Sequence, residues 1–402
     1  MTRAGEGAVV VAGAGPHALT ACAYLAQADA TLLDRLVVVD PEGWLVRWHH
    51  KLDALGIEWL RSSCVHHPHP DPFALVGADT QPEDVRGPYR NPSRDLFARF
   101  CESLVDSLGL RERLVRERVV GLEPLHDCVR VQLSGGGVLN AARVVMATNP
   151  RRDHVPAFAA GGGAAIAHAS DVDLRTADVA GRRVAVVGAG LTAVQLAVGA
   201  AARGAQATLF TRRSLHVRTF DVTAGWMTYK LAALTGVADP ATRRRAVRAA
   251  RGRGTTPQDD VALLVAGVRQ GHVRVCERTA IDSLSTSADG ITLHTTSGRV
   301  AFDHLWLATG SRPDLHAEPA LRSLQAARPA AMAGDLPVLD VHCHWPGTAV
   351  HLMGELSALQ TGPIAPNLAG ARIAAERIAA AAGRPPRQYP VPTGLWPVVA
   401  ER

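Results

Sequence analysis

The sequence predicts an α/β fold: two Rossmann-like dinucleotide-binding domains, with a small helical insertion in the second. Three observations predict it. A strand, a glycine turn and a helix follow one another near the start of the chain, and the same device recurs about 175 residues later. The two copies end their next strands on opposite charge. The chain has 402 residues, 47% hydrophobic and 20% charged, which suits two globular domains able to enclose a large ligand.

The first copy is "AVVVAGAGPHALTACAYL". Residues 8–12 read as a short buried strand, and Gly13, Gly15 and Ala18 fit G-x-G-x-x-G/A. The first glycine makes the turn, the second admits a pyrophosphate, and the small third residue lets helix and strand pack closely. Pro16 and His17 open the helix, whose N-terminus offers unpaired N–H groups to phosphate. An early Arg and an apolar stretch also imitate a secretory leader, but the glycine spacing favours strand, turn and helix. The next strand, "RLVVVD", ends at Asp40, a carboxylate placed for a ribose hydroxyl.

The second copy is "RRVAVVGAGLTAVQLAVGAAARG", with Gly188, Gly190 and Ala193 in the pattern and Leu191 and Thr192 at the helix start. Its next strand, "QATLFTRRS", ends without an acid, on Arg212 and Arg213. A carboxylate there would repel a 2′-phosphate, whereas arginine binds one. The first copy therefore suits FAD and the second NADPH.

Composition narrows the remaining classes. The formal charge of +6 is modest and carried almost wholly by arginine, which favours anionic ligands. No basic stretch interleaved with aromatics suggests nucleic acid. No other apolar run reaches membrane-spanning length. Six scattered cysteines form no C-x-x-C, which excludes dithiol chemistry of the thioredoxin-reductase type and any standard zinc spacing. They point to a reducing, cytoplasmic setting.

With both turns placed, the chain resembles the two-dinucleotide flavoproteins over nearly its whole length. More narrowly, it resembles the flavin-containing monooxygenases and the lysine/ornithine N-hydroxylases. "ARVVMATNP", containing Thr148, resembles the A-T-G strand end that closes the first domain, with Asn149 where glycine is usual; Asn tolerates left-handed backbone well. "DHLWLATGSRPDL" repeats that end with Thr309 and Gly310. "AIAHASDVDL" resembles the inter-domain linker, with its histidine at His168, and "GPYRNPSRDLFARFCESL" resembles an R-x-P-x-R segment entering a helix. "AVHLMGELSALQTGPIAPNLAGARIAAERI" resembles the C-terminal flavin strand and helix. There the resemblance sets Gly354 and Glu355 near the ribityl-phosphate arm and starts a helix near Pro363 and Ile364, aimed at the pyrimidine edge of the flavin. Val120 joins the expected FAD residues.

The resemblance implies a discontinuous FAD domain (1–160 plus 320–402), an NADPH domain (161–319), and a helical insertion near 217–270. Within the insertion, "FDVTAGWMTYKLAAL" concentrates Trp226, Tyr229 and Lys230. It reads either as a helix on the domain edge or as a substrate wall. "RRRAVRAARGRG" reads as a solvated helix face.

The implied reaction is monooxygenation through a C4a-hydroperoxyflavin, with an amine nitrogen as the favoured acceptor. The alternatives are sulfur oxygenation, or a reductase or dehydrogenase with a non-oxygen acceptor. The partners are a small-molecule substrate and O2, and the sequence leaves a homo-oligomer open. Trp48 and Lys51 are candidates for flavin packing and for a polar contact near its reactive edge, with Lys51, His66 and His67 as catalytic candidates.

One local stretch stays ambiguous. "SSCVHHPHPDP" gathers Cys64, His66, His67 and His69, and "DVHCHW" gathers His342, Cys343 and His344. The spacing matches no zinc pattern, and prolines 68, 70 and 72 forbid a regular helix. The readings are the wall of one shared pocket, with Cys64, His66, His67 and His344 facing substrate, or a structural loop; a metal site ranks last.

Overall fold

The computed structural model describes residues 7–77, 80–287 and 290–383. Five consecutive aliphatic residues leave no polar face, so Ala8–Ala12 is an interior strand, buried along its whole length. It pairs in parallel with Leu36–Val39 and with Val138–Met146. Leu114–Val115 extends one edge in parallel, and Val350–Leu352 returns late in the chain to pair in parallel with Val138–Met146. Val129–Leu133 and Val119–Pro124 complete this seven-stranded sheet in antiparallel pairing. The apolar stretch from Ala8 is strand, turn and helix Pro16–Ala28.

A second sheet is wholly parallel, in the order Ile166–His168, His304–Leu307, Arg183–Val187, Gln206–Phe210 and Val273–Cys276. An antiparallel layer of Ile281–Ser287, Gly290–Thr295 and Gly298–Phe302 shares its core, through Leu293 and Phe302 against Phe210 and Leu305. The chain leaves the first sheet through Arg151–Asp153 and returns through Ser311–Pro313, and these segments pair antiparallel. Both crossings are thus held in one two-stranded ladder. After the return, helix Pro319–Ala327 packs Leu321 and Leu324 into the core of the first sheet with Leu122 and Val131.

The insertion divides its packing. Helix Gln258–Arg269 places Leu264 against the second sheet's core. Helices Tyr229–Gly236 and Pro240–Arg251 instead pack Leu231, Leu234 and Val247 on Leu359 and Ala365, which follow the last strand of the first sheet. The segment around Trp226 is therefore a brace on the first half of the molecule, not on the edge of the second.

The C-terminal helix corrects one expectation. It runs Leu368–Ala380, not from Pro363 or Ile364. A second proline, Pro366, drives Ala365 away from helical geometry, so residues 362–366 form turns and Asn367 becomes the N-cap. Gly370 permits the close approach that follows: a Cβ there would stand 2.2 Å from the Ile364 carbonyl. Residues 384–402, expected in the first domain, lie outside the described residues.

Candidate active site

The first glycine turn is set by close backbone packing. Gly13 has φ +107° and donates its N–H to the Val39 carbonyl at 2.8 Å. A Cβ there would lie 3.2 Å from the Ala147 carbonyl. Gly15 is the opposite case, with nothing within 4 Å of its Cβ position. It caps helix Pro16–Ala28, so open space faces a helix N-terminus, the geometry a pyrophosphate uses. Asp40 binds its own turn: Ala14 N–H donates to Oδ2 at 3.0 Å, and Glu42 and Gly43 N–H donate to Oδ1 at 2.9 Å each. Three of roughly four acceptor positions are used, leaving room for about one further hydroxyl.

Late residues close this half of the site. The His17 Nε2 lies 3.3 Å from the Ala365 carbonyl, and burial lowers the pKa of the imidazole. Asn149 takes the left-handed conformation at φ +49°, and its Oδ1 accepts the Glu355 N–H at 2.9 Å. The side chain thus does work that glycine could not. Gly354 must stay bare in return, since a Cβ would meet Asn149 Oδ1 at 2.7 Å. Glu355 pairs with Arg151, which also donates to Ser311 Oγ at 2.6 Å across the ladder. Thr148 and Val120 are half-buried, Val120 in strand Val119–Pro124. Trp48, on helix Val46–Ala54, packs its ring 5.1 Å from Phe97.

Both halves line a cleft of about 930 Å³. Gly188, Gly190, Leu191, Thr192, Arg212, Arg213, Thr309 and Gly310 line it, as do Lys51 and Glu355. Gly188 is more tightly confined than Gly13: φ is +158°, and a Cβ would stand 2.3 Å from the Ala308 carbonyl. Lys51 is solvent-exposed within the concave wall; desolvation by that wall, then the Arg151 charge, lowers the pKa of its ammonium. Beside it, Ser170 donates to Asp153, and His168 places Nδ1 2.9 Å from Ser170 Oγ and Nε2 3.1 Å from the Gly310 carbonyl. This network ties the linker to the ladder. Arg61, Asp153, Asp221 and Arg253 also line the cleft and were missed from sequence. The Gly-Arg-Gly run at residues 252–254 was the one available signal, since glycines flanking an arginine do not suit a helix face.

The residues expected to face substrate do not line this cleft. Cys64 packs in the apolar cluster on one face of the first sheet and Cys343 in the cluster on the other, so the two His/Cys stretches do not border one pocket. His67 is fully buried, with its ring 4.8 Å from Phe100 and its Nε2 3.2 Å from the Pro72 carbonyl. Burial, then the Arg372 charge, pushes His67 to about 3 and His66 to about 4. Arg372 fixes the loop by donating to the His67, His69 and Pro70 carbonyls. Prolines that cannot enter a helix leave these carbonyls free, and one guanidinium collects them. His344 pairs with Asp340 at 3.1 Å and packs its ring 3.8 Å from buried His351. Trp226 lies 3.5 Å from the Cβ position of Gly362, while Tyr229 is exposed. Among the described residues no group of three or more His, Cys, Asp or Glu side chains is placed to hold a metal. No helix among them is long and apolar enough to cross a membrane.

The residues fit dinucleotides in two different ways. At the first turn the space over Gly15 is open. At the second, the Thr255 carbonyl already takes the Leu191 N–H at 3.2 Å, so anion-binding capacity sits in the arginines at the rim. Two glycine turns serving joined halves, one beside a carboxylate and one beside exposed arginines, define a two-dinucleotide oxidoreductase. The chain belongs to the pyridine nucleotide-disulphide oxidoreductase family, whose model matches residues 7–239. It is 28% identical over 221 residues to indole-3-pyruvate monooxygenase YUCCA1 of Oryza sativa subsp. japonica, a match covering 52% of this chain and 49% of that protein. The chain thus matches about half the length of this curated relative. Its fold is that of the ornithine hydroxylase PvdA from Pseudomonas aeruginosa (TM-score 0.72, 17% identity, 93% of this chain and 98% of that one). The Kutzneria ornithine N-hydroxylase KtzI, solved with reduced FAD, NADP+ and L-ornithine, is similar (TM-score 0.74, 15% identity, 94% and 99%).

Proposed function

We propose that the protein is a FAD- and NADPH-dependent monooxygenase. It would transfer one oxygen atom of O2 to a soft nucleophile, most readily an amine nitrogen of a small amino-acid-like or biosynthetic molecule. The observation that carries this reading is one cleft at the second glycine turn, walled by residues of both halves and with no sulfur pair. All six cysteines are free and none lines the cleft. A family member without a dithiol must pass its electrons elsewhere, and the names of its relatives favour oxygen.

In this reading residues 1–160 and 320–402 hold FAD, through Gly13, Gly15, Asp40 and the Asn149–Gly354 contact. Residues 161–319 hold NADPH, through Gly188, Gly190, Arg212 and Arg213. A bound flavin would supply hydride acceptance from the nicotinamide and activation of molecular oxygen. The chain's own task is to bind, orient and exclude water. The Arg151–Glu355 pair and the Asp153–Ser170–His168 network fix the junction at which the two cofactors would meet. Lys51, with its lowered pKa, would donate a hydrogen bond at the cleft wall.

The test uses FAD-loaded protein with NADPH, O2 and a panel of amines and thioethers. The expected result is substrate-stimulated NADPH consumption and a product heavier by one oxygen atom. Recovery of all reducing equivalents as hydrogen peroxide, or in a non-oxygen acceptor, overturns the reading. A sulfoxide in place of a hydroxylamine would correct the acceptor.

A further inference from the structure

Residues 251–256 do not end as a solvated helix face; they cross the second glycine turn as a strap. The Gly254 Cα lies 3.5 Å from the Cβ position of Gly190, and the Thr255 carbonyl caps Leu191. Thr256 bridges to Val217, with its N–H on the His216 carbonyl at 3.0 Å. The strap is also clamped from the other half of the molecule. Arg61 donates to the Thr219 carbonyl at 2.7 Å, the Arg218 carbonyl at 2.9 Å, Asp221 Oδ1 at 2.7 Å and Thr255 Oγ1 at 2.6 Å. Thr255 Oγ1 donates onward to Asp221 Oδ1 at 2.8 Å. A guanidinium with so many fixed acceptors holds one geometry, which lysine could not reproduce.

The strap brings a charge with it. Arg253 lines the same cleft as Arg212 and Arg213, and all three are exposed. None has a carboxylate partner among the described residues. Desolvation, then the charges of Arg253 and Arg212, lowers the pKa of Arg213. Three unpaired like charges around one space are matched by a dianion.

We propose that Arg253 is a third reader of the 2′-phosphate of the nicotinamide dinucleotide, and that Arg61 is the positioning residue that sets the strap over the Gly188–Gly190 turn. The proposal rests on the NADPH reading and deepens it. Phosphate reading would then depend on a residue of the flavin half.

The test is calorimetric titration of the FAD-loaded full chain with 2′,5′-ADP and with 5′-AMP. The unmodified protein is expected to prefer 2′,5′-ADP. Arg253→Gln is expected to cut that preference about tenfold and to leave 5′-AMP binding within about twofold. Arg61→Gln is expected to lower the preference in the native background and to add nothing in Arg253→Gln, because its effect passes through Arg253. The preference is a ratio, so partial unfolding of a variant cancels. If Arg253→Gln keeps the full preference while Arg212→Ala with Arg213→Ala loses it, the proposal fails and the NADPH reading stands. A further loss from Arg61→Gln in the Arg253→Gln background overturns the positioning role. If the unmodified protein shows no preference, the NADPH reading falls and takes the proposal with it.

Discussion

The two glycine turns share a backbone plan and differ in everything around it. The first is bound to its own acid: Asp40 accepts three N–H groups, and the space over Gly15 is open. The second has no such acid. Its helix start is capped by Thr255, Gly254 stands against Gly190, and exposed arginines form its rim. The glycines specify that a dinucleotide can approach. In the proposed reading the rims decide which one does.

The largest expected effect breaks the shared plan itself. At Gly188 a Cβ would strike the Ala308 carbonyl at 2.3 Å, while at Gly13 the nearest atom is 3.2 Å away. Both have positive φ. Gly188→Ala should cost about 3 kcal/mol in urea unfolding, and Gly13→Ala distinctly less. The reverse order would show that the turns are not confined as described.

Next comes acid. His67 and His351 are buried in the first half, and desolvation pushes each to about 3, from the ordinary 6.5. Below 6.5 the unfolded chain binds protons that the folded histidines refuse. Their stabilisation is complete above pH 6.5 and drains away as pH falls toward 3, about 2 kcal/mol each at pH 5. Hydrogen exchange at pH 5 should therefore open the first half before the second. Equal opening of both would contradict this placement of the burial penalty.

The rims give the smaller effects. Arg212→Ala with Arg213→Ala should weaken NADPH about thirtyfold relative to NADH in fluorescence titrations. Asp40→Asn, which turns an acceptor for Ala14 into a donor, should cost about 1 kcal/mol and speed flavin loss on dilution. If Asp40→Asn changed nicotinamide preference instead, the assignment of rims to cofactors would be reversed.

What the sequence showed was local. Buried aliphatic runs, glycine spacing and the sign of the residue after each strand are all written within about 30 residues. Even Asn149 was readable, because its tolerance of left-handed backbone is intrinsic. What escaped depends on distant partners. Arg61 reaches residues 218–221 and Thr255, and Arg372 reaches the carbonyls of residues 67–70. Carbonyl acceptors carry no side-chain signature, so such clamps leave no pattern. The misplaced helix start at Pro363 differs, since Pro366 was in plain view and its effect on Ala365 is a local rule. The histidine loop misled for a third reason. Histidines read as chemistry when their neighbours are unknown, and here Phe100 and Arg372 make His67 part of the core.

In the proposed reading one turn holds the flavin and the other holds the nicotinamide that reduces it. Anaerobic mixing of FAD-loaded protein with NADPH, followed at the flavin absorbance band, tests this most directly. Full bleaching by one equivalent of NADPH is expected, with bleaching by NADH at least about tenfold slower at subsaturating concentration. No bleaching by NADPH, or equal rates with both nicotinamides, would contradict it.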